Sequence, residues 1–264
     1  MNTRYDVAGL SVVVMGGTTG LGLSAAQALI ANGARVVVTS RSEANVRAAL
    51  DLLGPKARGF AADASQPQAA DRAVALAVES FGRLDALYHV AGGSGRSRGD
   101  GPLHEITDEG LQYTLNLNLA SLIASNRAAV RQFLQQGGGG CLLNMGSVLG
   151  WSPSPQYFAS HAYAAAKAGI IGFSKSIASY YAPQNIRVNV IAPALVETPM
   201  SQRAVGDEGI VRFISAKQPL DGGRVGAPED VEGAALFLLS RASRFITGQV
   251  LAVDGGWTVS EGRE

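Results

Sequence analysis

The sequence has little cysteine and little charge. Cys141 is the only cysteine in 264 residues, so no disulfide can form within the chain and a reducing compartment is expected. Charged residues make up 16%, and 22 Lys plus Arg against 21 Asp plus Glu leave a net charge of +1. Nucleic-acid-binding proteins carry a basic excess that this chain lacks, so we expect no nucleic-acid partner.

Long apolar runs and clustered metal ligands are missing as well. No apolar stretch reaches the length of about 18 residues expected of a membrane-spanning helix, and Met1 to Asp6 lacks the apolar core of a secretion signal. The histidines, His89, His104 and His161, are far apart and have no cysteine or carboxylate grouped with them. We therefore expect a soluble, cytoplasmic protein with no membrane contact and no metal site.

Apolar residues are abundant, at 47%, and so is glycine, at 33 residues. Short β-branched apolar runs alternate with helix-length segments, a pattern typical of parallel strands covered by helices on both faces. This predicts an α/β fold: a single doubly wound Rossmann-type domain over residues 1–264, with a seven-stranded parallel sheet. The predicted strands are 10–15, 34–39, 57–61, 84–90, 141–145, 186–191 and 249–253, and the predicted helices are about 20–32, 43–53, 66–81, 108–136, 161–182 and 228–240.

Two of the predicted loops are longer than the rest, residues 92–103 and 194–227. Both follow strand ends, and open α/β sheets bind ligands beyond the carboxyl ends of their strands. We therefore predict substrate contacts in both loops, the first of which carries Arg96 and Arg98. The alternative, an ordinary flexible surface loop, stays open for both segments and carries more weight for the first.

A glycine-rich turn joins the first predicted strand to the first predicted helix. Glycines at this junction let the backbone approach a pyrophosphate, whose negative charge is favoured at the helix N-terminus. A tight turn of purely structural importance is the alternative. The residues predicted to bind a dinucleotide here are Gly16, Thr18, Thr19, Gly20, Leu21 and Gly22.

The end of the second predicted strand bears on the choice of dinucleotide. Proteins that bind NAD usually have an acid about 20 residues after the glycine turn, but Ser40 and Arg41 stand there. A guanidinium suits a 2′-phosphate, so NADP(H) is favoured, whereas the nearby Glu43 keeps NAD(H) possible. Asp63, followed by Ala64, is placed either to accept a hydrogen bond from the adenine amino group or to begin a helix.

Tyr163 and Lys167 are four residues apart, which places both on one face of a helix. A nearby ammonium lowers the pKa of a phenol and so equips it for proton transfer. Ser147 follows a predicted strand end, where its hydroxyl could polarise a carbonyl. A solvated Tyr–Lys pair is the alternative for this motif taken alone. Tyr157 lacks the lysine, because four residues later stands His161.

With these motifs in this order, from residue 10 to about residue 257, the chain resembles the short-chain dehydrogenase/reductase family. The other matching stretches are residues 89–92, 118–119, 189–193, 198–200 and 254–256. The resemblance implies that Tyr163 transfers a proton and that Ser147 orients the reacting oxygen. It also implies that Lys167 binds the nicotinamide ribose and lowers the pKa of Tyr163, while Asn118 holds a water that links Lys167 to solvent.

The resemblance implies further contacts. Cofactor contacts are expected at Ala91, Gly92, Pro193, Val196 and Thr198. The helix 108–136 is expected to pair with the tyrosine helix of a second copy, giving a homotetramer or a homodimer. The chain departs from the family at Met15 and at His89–Val90, where a threonine and two asparagines are usual, and the long gap before Tyr163, which holds Trp151, Tyr157 and Phe158, is expected to hang over the pocket.

The function expected from these residues is an NADP(H)-dependent oxidoreductase that interconverts a ketone and a secondary alcohol. An NAD(H)-dependent dehydrogenase of the sugar or hydroxysteroid type remains an alternative, as does a dinucleotide-sensing protein without turnover. The substrate stays open among a 3-oxoacyl thioester, a sugar lactol and a steroid or xenobiotic ketone, because one fold serves many substrates.

Overall fold

The computed structural model describes residues 5–262, in which seven parallel strands form one sheet in the order β3-β2-β1-β4-β5-β6-β7. Helices cover both faces, so the predicted fold class is confirmed; the assignment of the chain to a single domain stays a prediction. Residues 1–4, where a secretion signal was expected to be absent, lie outside the described part. The strands are β1 Ser11–Met15, β2 Arg35–Ser40, β3 Ala57–Ala61, β4 Ala86–His89, β5 Gly140–Met145, β6 Ile186–Pro193 and β7 Val250–Val253.

The helices begin and end where the local sequence permits it. Ser42 caps α2 by accepting a hydrogen bond from the backbone N–H of Asn45 (3.2 Å), and Gly82 ends α3 in the left-handed conformation. None of the helices in residues 5–262 has the length and apolarity needed to span a membrane. The helices are α1 Gly20–Ala31, α2 Glu43–Leu53, α3 Pro67–Phe81, α4 Asp108–Leu115, α5 Ser121–Gln136, α6 His161–Tyr181, α7 Gln202–Val205, α8 Glu208–Lys217 and α9 Glu229–Leu239.

Alternate residues of the central strands supply the two cores. Val12 and Val14 pack on the face covered by α1 and α9, whereas Val13 packs on the face covered by α3 and α5. All three valines are fully buried, and burial of each such side chain stabilises the fold by roughly 1.5–3 kcal/mol. Burial on both faces is why the strands read as continuous apolar runs.

The strand order reverses between β1 and β4. Met15 at the end of β1 pairs with Thr39 of β2 on one side and with His89 of β4 on the other. The chain after β1 runs to one face of the sheet and the chain after β4 to the other, which opens a crevice at the carboxyl ends of the strands. The glycine turn and the loops after β4 and β5 therefore meet there.

One expectation about irregular segments was incomplete and one was wrong. The predicted helix 108–136 is helical throughout, but a π-helical turn at Asn116–Ala120 joins α4 to α5, and there the Nδ2 atom of Asn118 donates to the carbonyl of Thr114 (2.9 Å). The segment 194–227, expected to be a loop, contains α7 and α8. Asp207 caps α8 through the backbone N–H of Ile210, and the buried Ile210 and Ile214 anchor the helix. Tertiary packing of these isoleucines outweighs the weak helical pattern of the segment.

Candidate active site

One cavity of about 750 Å³ lies beyond the carboxyl ends of the strands. Of the residues predicted to bind cofactor or substrate, sixteen line it: Gly16, Thr19, Gly20, Leu21, Ser40, Arg41, Asp63, Ala64, Ala91, Gly92, Ser147, Tyr163, Lys167, Pro193, Val196 and Thr198. Three predicted residues, Thr18, Gly22 and Asn118, are buried behind the wall instead. The sequence motifs therefore converge on one site, although three of their residues are buried and do not line the cavity.

The glycine turn is built by close backbone packing. A Cβ on Gly22 would lie 2.1 Å from the carbonyl oxygen of Gly16, and a Cβ on Gly16 would lie 2.8 Å from the backbone nitrogen of Ala91. The side chain of Thr19, the N-cap of α1, makes no capping hydrogen bond, and the first turn of α1 holds no acid. The positive end of α1 thus faces the cavity without a negative partner from its own first turn, which suits a phosphate.

The far end of the cavity is lined by Ser40, Arg41 and Asp63. The Oδ1 atom of Asp63 accepts a hydrogen bond from the backbone N–H of Ser65 (2.9 Å), so this carboxylate stabilises the turn before α3 as well as lining the cavity. Arg41 is exposed. This end therefore offers polar groups of both charges, an exposed guanidinium and a carboxylate, to a ligand in the cavity.

The catalytic motif lies on α6 and at the end of β5. The side chains of Tyr163 and Ser147 lie side by side at the cavity wall, with the Ser147 hydroxyl close enough to act on the phenol. Burial raises the pKa of Tyr163 to about 12, and the Ser147 hydroxyl opposes this rise. The arrangement places a protonated phenol and a serine hydroxyl side by side at the cavity wall.

Lys167 is almost fully buried, and burial lowers its pKa to about 8. Its Nζ atom donates to the carbonyl of Met145 (2.9 Å) and lies 5.4 Å from the centre of the Tyr163 ring. The predicted lowering of the Tyr163 pKa by Lys167 is not seen in this geometry, because the ammonium is directed at Met145 and burial dominates the phenol. Lys167 is nevertheless on the same cavity wall as Tyr163.

The side chain of Asn118 holds the loop after β4. Its Oδ1 atom accepts from the backbone N–H of Gly93 (3.1 Å) and its Nδ2 atom donates to the carbonyl of Gly93 (2.9 Å). A Cβ on Gly92 would lie 2.8 Å from the same Oδ1 atom. The π-helical turn therefore presents Asn118 to the backbone of this loop, as such turns often do at functional sites. Its predicted role in holding a water stays a prediction.

Asp100 is a site residue that sequence reasoning missed. It is buried, and its two carboxylate oxygens accept hydrogen bonds from the backbone N–H groups of Ala162 and Tyr163, each at 3.0 Å. The side chain of the N-cap residue Ser160 makes no such bond, so Asp100 caps α6 from the loop 92–103. A lone acid in a glycine-rich loop was the only signal in the sequence.

His89, which stands where the family usually has an asparagine, contacts two serines of α5. The Nδ1 atom of His89 lies 2.7 Å from the Oγ atom of Ser125, and its Nε2 atom lies 3.3 Å from the Oγ atom of Ser121. Burial, reinforced by the nearby Lys167, lowers the pKa of His89 to about 3. A neutral histidine therefore ties β4 to α5.

The aromatic residues that line the cavity are not all those that the sequence led us to expect. Of the aromatic residues in the gap before Tyr163, Phe158 lines the cavity, whereas Trp151 and Tyr157 do not. Tyr157 packs on Phe213 instead, with ring centres 5.1 Å apart. Trp257, which the sequence did not single out, is buried and lines the cavity, with its Nε1 atom donating to Ser152.

Comparison with known proteins agrees with this architecture. A family profile described as enoyl-(acyl carrier protein) reductase matches residues 16–258. The chain is 31% identical over 254 residues to a 2,5-dichloro-2,5-cyclohexadiene-1,4-diol dehydrogenase of Sphingobium indicum, covering 96% of this chain and 98% of the relative. It is 34% identical over 251 residues to the 3-oxoacyl-[acyl-carrier-protein] reductase FabG of Escherichia coli, covering 94% and 97%.

A solved structure of a short-chain type dehydrogenase/reductase from Mycobacterium ulcerans superposes with a TM-score of 0.89 at 28% identity. The match covers 98% of this chain and 93% of that one. Relatives that match across nearly their whole length indicate a nicotinamide-dinucleotide-dependent oxidoreductase, and the glycine turn and the open N-terminus of α1 fit such a cofactor. The chain therefore belongs to the short-chain dehydrogenase/reductase family.

Proposed function

We propose that this protein is an NADP(H)-dependent oxidoreductase that interconverts a ketone and a secondary alcohol. The observation that supports this best is that the hydroxyl-bearing side chains of Ser147 and Tyr163 are neighbours at the wall of the cavity that the glycine turn also lines. Two hydroxyls that meet at one point can both bond to a single substrate oxygen. A carbonyl or alcohol oxygen is the group that such a pair fits.

The residues divide the chemistry between them. When bound, the dinucleotide supplies or accepts the hydride. Tyr163 gives its phenolic proton to the carbonyl oxygen during reduction and takes a proton from the alcohol during oxidation. Ser147 donates a hydrogen bond to the same oxygen. Burial raises the pKa of Tyr163, so at neutral pH the phenol is in the protonated form that reduction requires.

Two further residues assist Tyr163. Lys167 holds the nicotinamide ribose, and an ammonium close to the phenolate would favour proton loss when an alcohol is oxidised. Asn118 keeps the loop at Gly92 and Gly93 in place and holds a water that connects Lys167 to solvent. These roles agree with the burial of Lys167 and Asn118 at the base of the cavity.

The preference for NADP(H) rests on Arg41. An exposed guanidinium beside Ser40 can pair with a 2′-phosphate, and the only acid that lines the cavity in residues 5–262 is Asp63. The remaining cofactor contacts are proposed at Ala91, Gly92, Pro193, Val196 and Thr198, which line the cavity wall next to the glycine turn.

A panel of ketones and alcohols with both reduced and both oxidised dinucleotides, followed at the nicotinamide absorbance, tests this function. We expect turnover with NADPH and a dissociation constant at least about tenfold lower for NADPH than for NADH, as one charge-assisted pair can give. The double variant Ser40→Asp, Arg41→Ala should reverse that order, whereas Arg47→Ala on the exposed face of α2 should not. Equal affinities in the native protein would contradict the cofactor assignment, and dinucleotide binding without any turnover would favour a sensor.

We also propose a cytoplasmic homotetramer, with a homodimer as the alternative, assembled through α5 and α6. Cys141 as the only cysteine supports the location. Leu134 of α5 is 50% exposed, and α6 presents small exposed residues at Ala165, Ala168 and Gly172, so two copies could approach closely. Sedimentation at micromolar concentration measures the assembly, and a particle of 27.3 kDa would contradict it.

A further inference from the structure

The substrate end of the cavity is positively charged. Arg96 from the loop 92–103 and Arg203 from α7 both line the cavity that holds Ser147 and Tyr163. Burial lowers the pKa of Arg96, and the charge of Arg203 lowers it further, so the two positive charges lie close enough to repel each other. Two separate segments of the chain thus bring like charges to one place.

No carboxylate in residues 5–262 pairs with either arginine. The ion pairs in this part of the chain involve Arg83, His104 and Arg224 and lie elsewhere. Asp100 offsets the repulsion in part, but both of its carboxylate oxygens are bonded to the backbone of α6. The positive charge at this end of the cavity is therefore left without an ion-pair partner from the described chain.

Arg96 is exposed, but its side chain is anchored to the protein. Its Nε atom donates to the Oγ atom of the buried Ser160 (2.9 Å), three residues before Tyr163. The two terminal nitrogens of its guanidinium make no hydrogen bond to any described residue, so they are available to a ligand. A guanidinium anchored at Nε presents the planar edge that binds carboxylate or phosphate through two hydrogen bonds.

The same cavity also has an apolar lining. Leu149, Phe158, Met200 and Trp257 contribute to it. An apolar wall with a small number of charged groups is typical of a site that recognises a specific polar group on an otherwise apolar ligand.

Building on the proposed oxidoreductase function, we propose that Arg96 and Arg203 select substrates that carry an anionic group, a carboxylate or a phosphate, on an apolar chain attached to the reacting ketone or alcohol. The anion sits between the two guanidinium groups and removes their mutual repulsion. The carbonyl then lies at Ser147 and Tyr163, and the apolar chain packs on Phe158 and Trp257. Arg96 and Arg203 determine specificity and take no part in proton transfer.

Matched pairs of substrates test this assignment and distinguish the two kinds of anion. The carboxylate arm compares 4-oxopentanoate, 5-oxohexanoate and 6-oxoheptanoate with their methyl esters. The phosphate arm compares 4-oxopentyl, 5-oxohexyl and 6-oxoheptyl phosphates with the corresponding methyl ethers. We expect kcat/KM to be at least about tenfold higher for the charged member in one arm, mainly through KM, as expected for a charge-assisted hydrogen bond.

Variants assign the preference to the two arginines. Arg96→Gln and Arg203→Gln should each reduce the charged-to-neutral ratio of kcat/KM by about tenfold while leaving the neutral substrate nearly unchanged. Arg203→Lys should retain part of the ratio. Arg212→Gln, on the exposed face of α8, is the matched control and should leave it intact. Equal losses for both members of a pair would show that the arginines support the fold and would overturn the proposal.

Binding separates this inference from the proposed function. In Tyr163→Phe loaded with NADP⁺, calorimetry measures affinity for the same pairs without turnover. Tighter binding of the charged member supports anion recognition even if the native protein reduces none of these ketones. Equal binding of both members in both arms overturns it even if a neutral ketone is reduced rapidly. If Arg96→Gln and Arg203→Gln weaken NADPH itself, the arginines contact the cofactor and the proposal fails.

Discussion

The two sides of the cavity are built differently. The cofactor side, residues 11–61, consists of regular strands and helices and approaches its ligand through backbone at Gly16 and Gly20. The proposed substrate side, formed by residues 92–103 and 194–227, consists of short helices and turns. Side-chain bonds hold it in shape: Gln218 bonds to both the N–H and the carbonyl of Leu195, and Asp100 bonds to α6.

This difference shows how one fold can keep its cofactor and change its substrate. On the cofactor side a side chain larger than hydrogen clashes with backbone at Gly22, so little can vary. On the substrate side a small cluster around Ile214 and Trp257 and a few polar bonds set the shape, and these can be exchanged independently of the sheet. The helix α6 lies between the two sides and carries Tyr163 and Lys167.

The strongest test of the comparison is to remove the proton-transfer group from α6. Tyr163→Phe should lose about 1,000-fold or more in turnover, within the range for general acid–base catalysis. Dinucleotide affinity should be nearly unchanged, because the cofactor side is built from other elements. Steady-state kinetics and a fluorescence titration with NADPH measure the two effects.

The matched control is Tyr157→Phe. Tyr157 packs on Phe213 and does not line the cavity, so its hydroxyl should be dispensable for turnover. A Tyr163→Phe protein with near-native turnover would show that another group carries the proton, and the assignment of the site would have to be withdrawn.

The backbone-built side should tolerate no side chain at Gly22. Gly22→Ala places a Cβ 2.1 Å from the carbonyl oxygen of Gly16, so the turn must shift. We expect a loss of about 2–3 kcal/mol in the free energy of unfolding, as for other overpacked sites, and weaker dinucleotide binding. Urea unfolding and NADPH titration measure both.

Gly233→Ala is the control for this change. Gly233 also lies within a helix, and its Cβ would make an ordinary contact at 3.6 Å with the hydroxyl of Tyr5. Stability should stay level or rise by up to about 1 kcal/mol, because alanine favours helix over glycine. Similar losses in both variants would mean that the close contact at Gly22 is unimportant.

The buried ammonium of Lys167 should lower the free energy of unfolding, although the proposed function requires this residue. Burial lowers its pKa from 10.5 to about 8, which corresponds to about 3 kcal/mol against the charged form. Lys167→Met removes that penalty and also the bond to Met145, which offsets about 1 kcal/mol. We expect Lys167→Met to be about 2 kcal/mol more stable than the native protein at pH 7, and much less active.

The stability that Lys167→Met gains should depend on pH in a definite direction. Between pH 8 and 10.5 the unfolded native chain holds a proton on Lys167 that the folded chain has lost, so native stability rises with pH. The advantage of Lys167→Met should therefore shrink over this interval. Urea unfolding at pH 7 and pH 10 measures it, and an advantage that stays constant would contradict the buried charge as its cause.

The smallest expected effect concerns the hydrogen bonds between Asp100 and the backbone of α6. Asp100→Ala leaves the N–H groups of Ala162 and Tyr163 without their cap, and such a loss lowers stability by about 1 kcal/mol. Asp100→Asn keeps one acceptor oxygen and should lose about half as much. Turnover should fall more than dinucleotide affinity, because Tyr163 is in the first turn of α6.

Asp51→Ala, on the exposed face of α2, is the control for loss of a surface carboxylate. If Asp100→Ala changes stability no more than Asp51→Ala does, the cap does not stabilise α6. If it lowers affinity for NADPH as strongly as turnover, the two sides of the cavity are more closely coupled than their construction suggests.

The sequence predicted the regular parts of the fold well because a buried element needs apolar residues within its own short stretch of sequence. Strands buried on both faces must be apolar throughout, so β1 and β2 were placed to within one residue. The segment 194–227 has no such apolar pattern, because α7 and α8 are short and bury few side chains. The π-helical turn at Asn116–Ala120 was equally invisible, because its cause is the bonds that Asn118 makes to Thr114 and to the distant Gly93.

By itself the sequence determined the α/β fold, the glycine turn and the spacing of Tyr163 and Lys167, because each of these depends on neighbours within a few residues. Only the tertiary structure decided that Asp100 caps α6, that Lys167 points to Met145 and that Arg96 and Arg203 share one end of the cavity. These relations join residues 22 to 107 positions apart. Hydrogen bonds and charges act through space, so such pairs become neighbours only when the sheet brings the ends of its strands together.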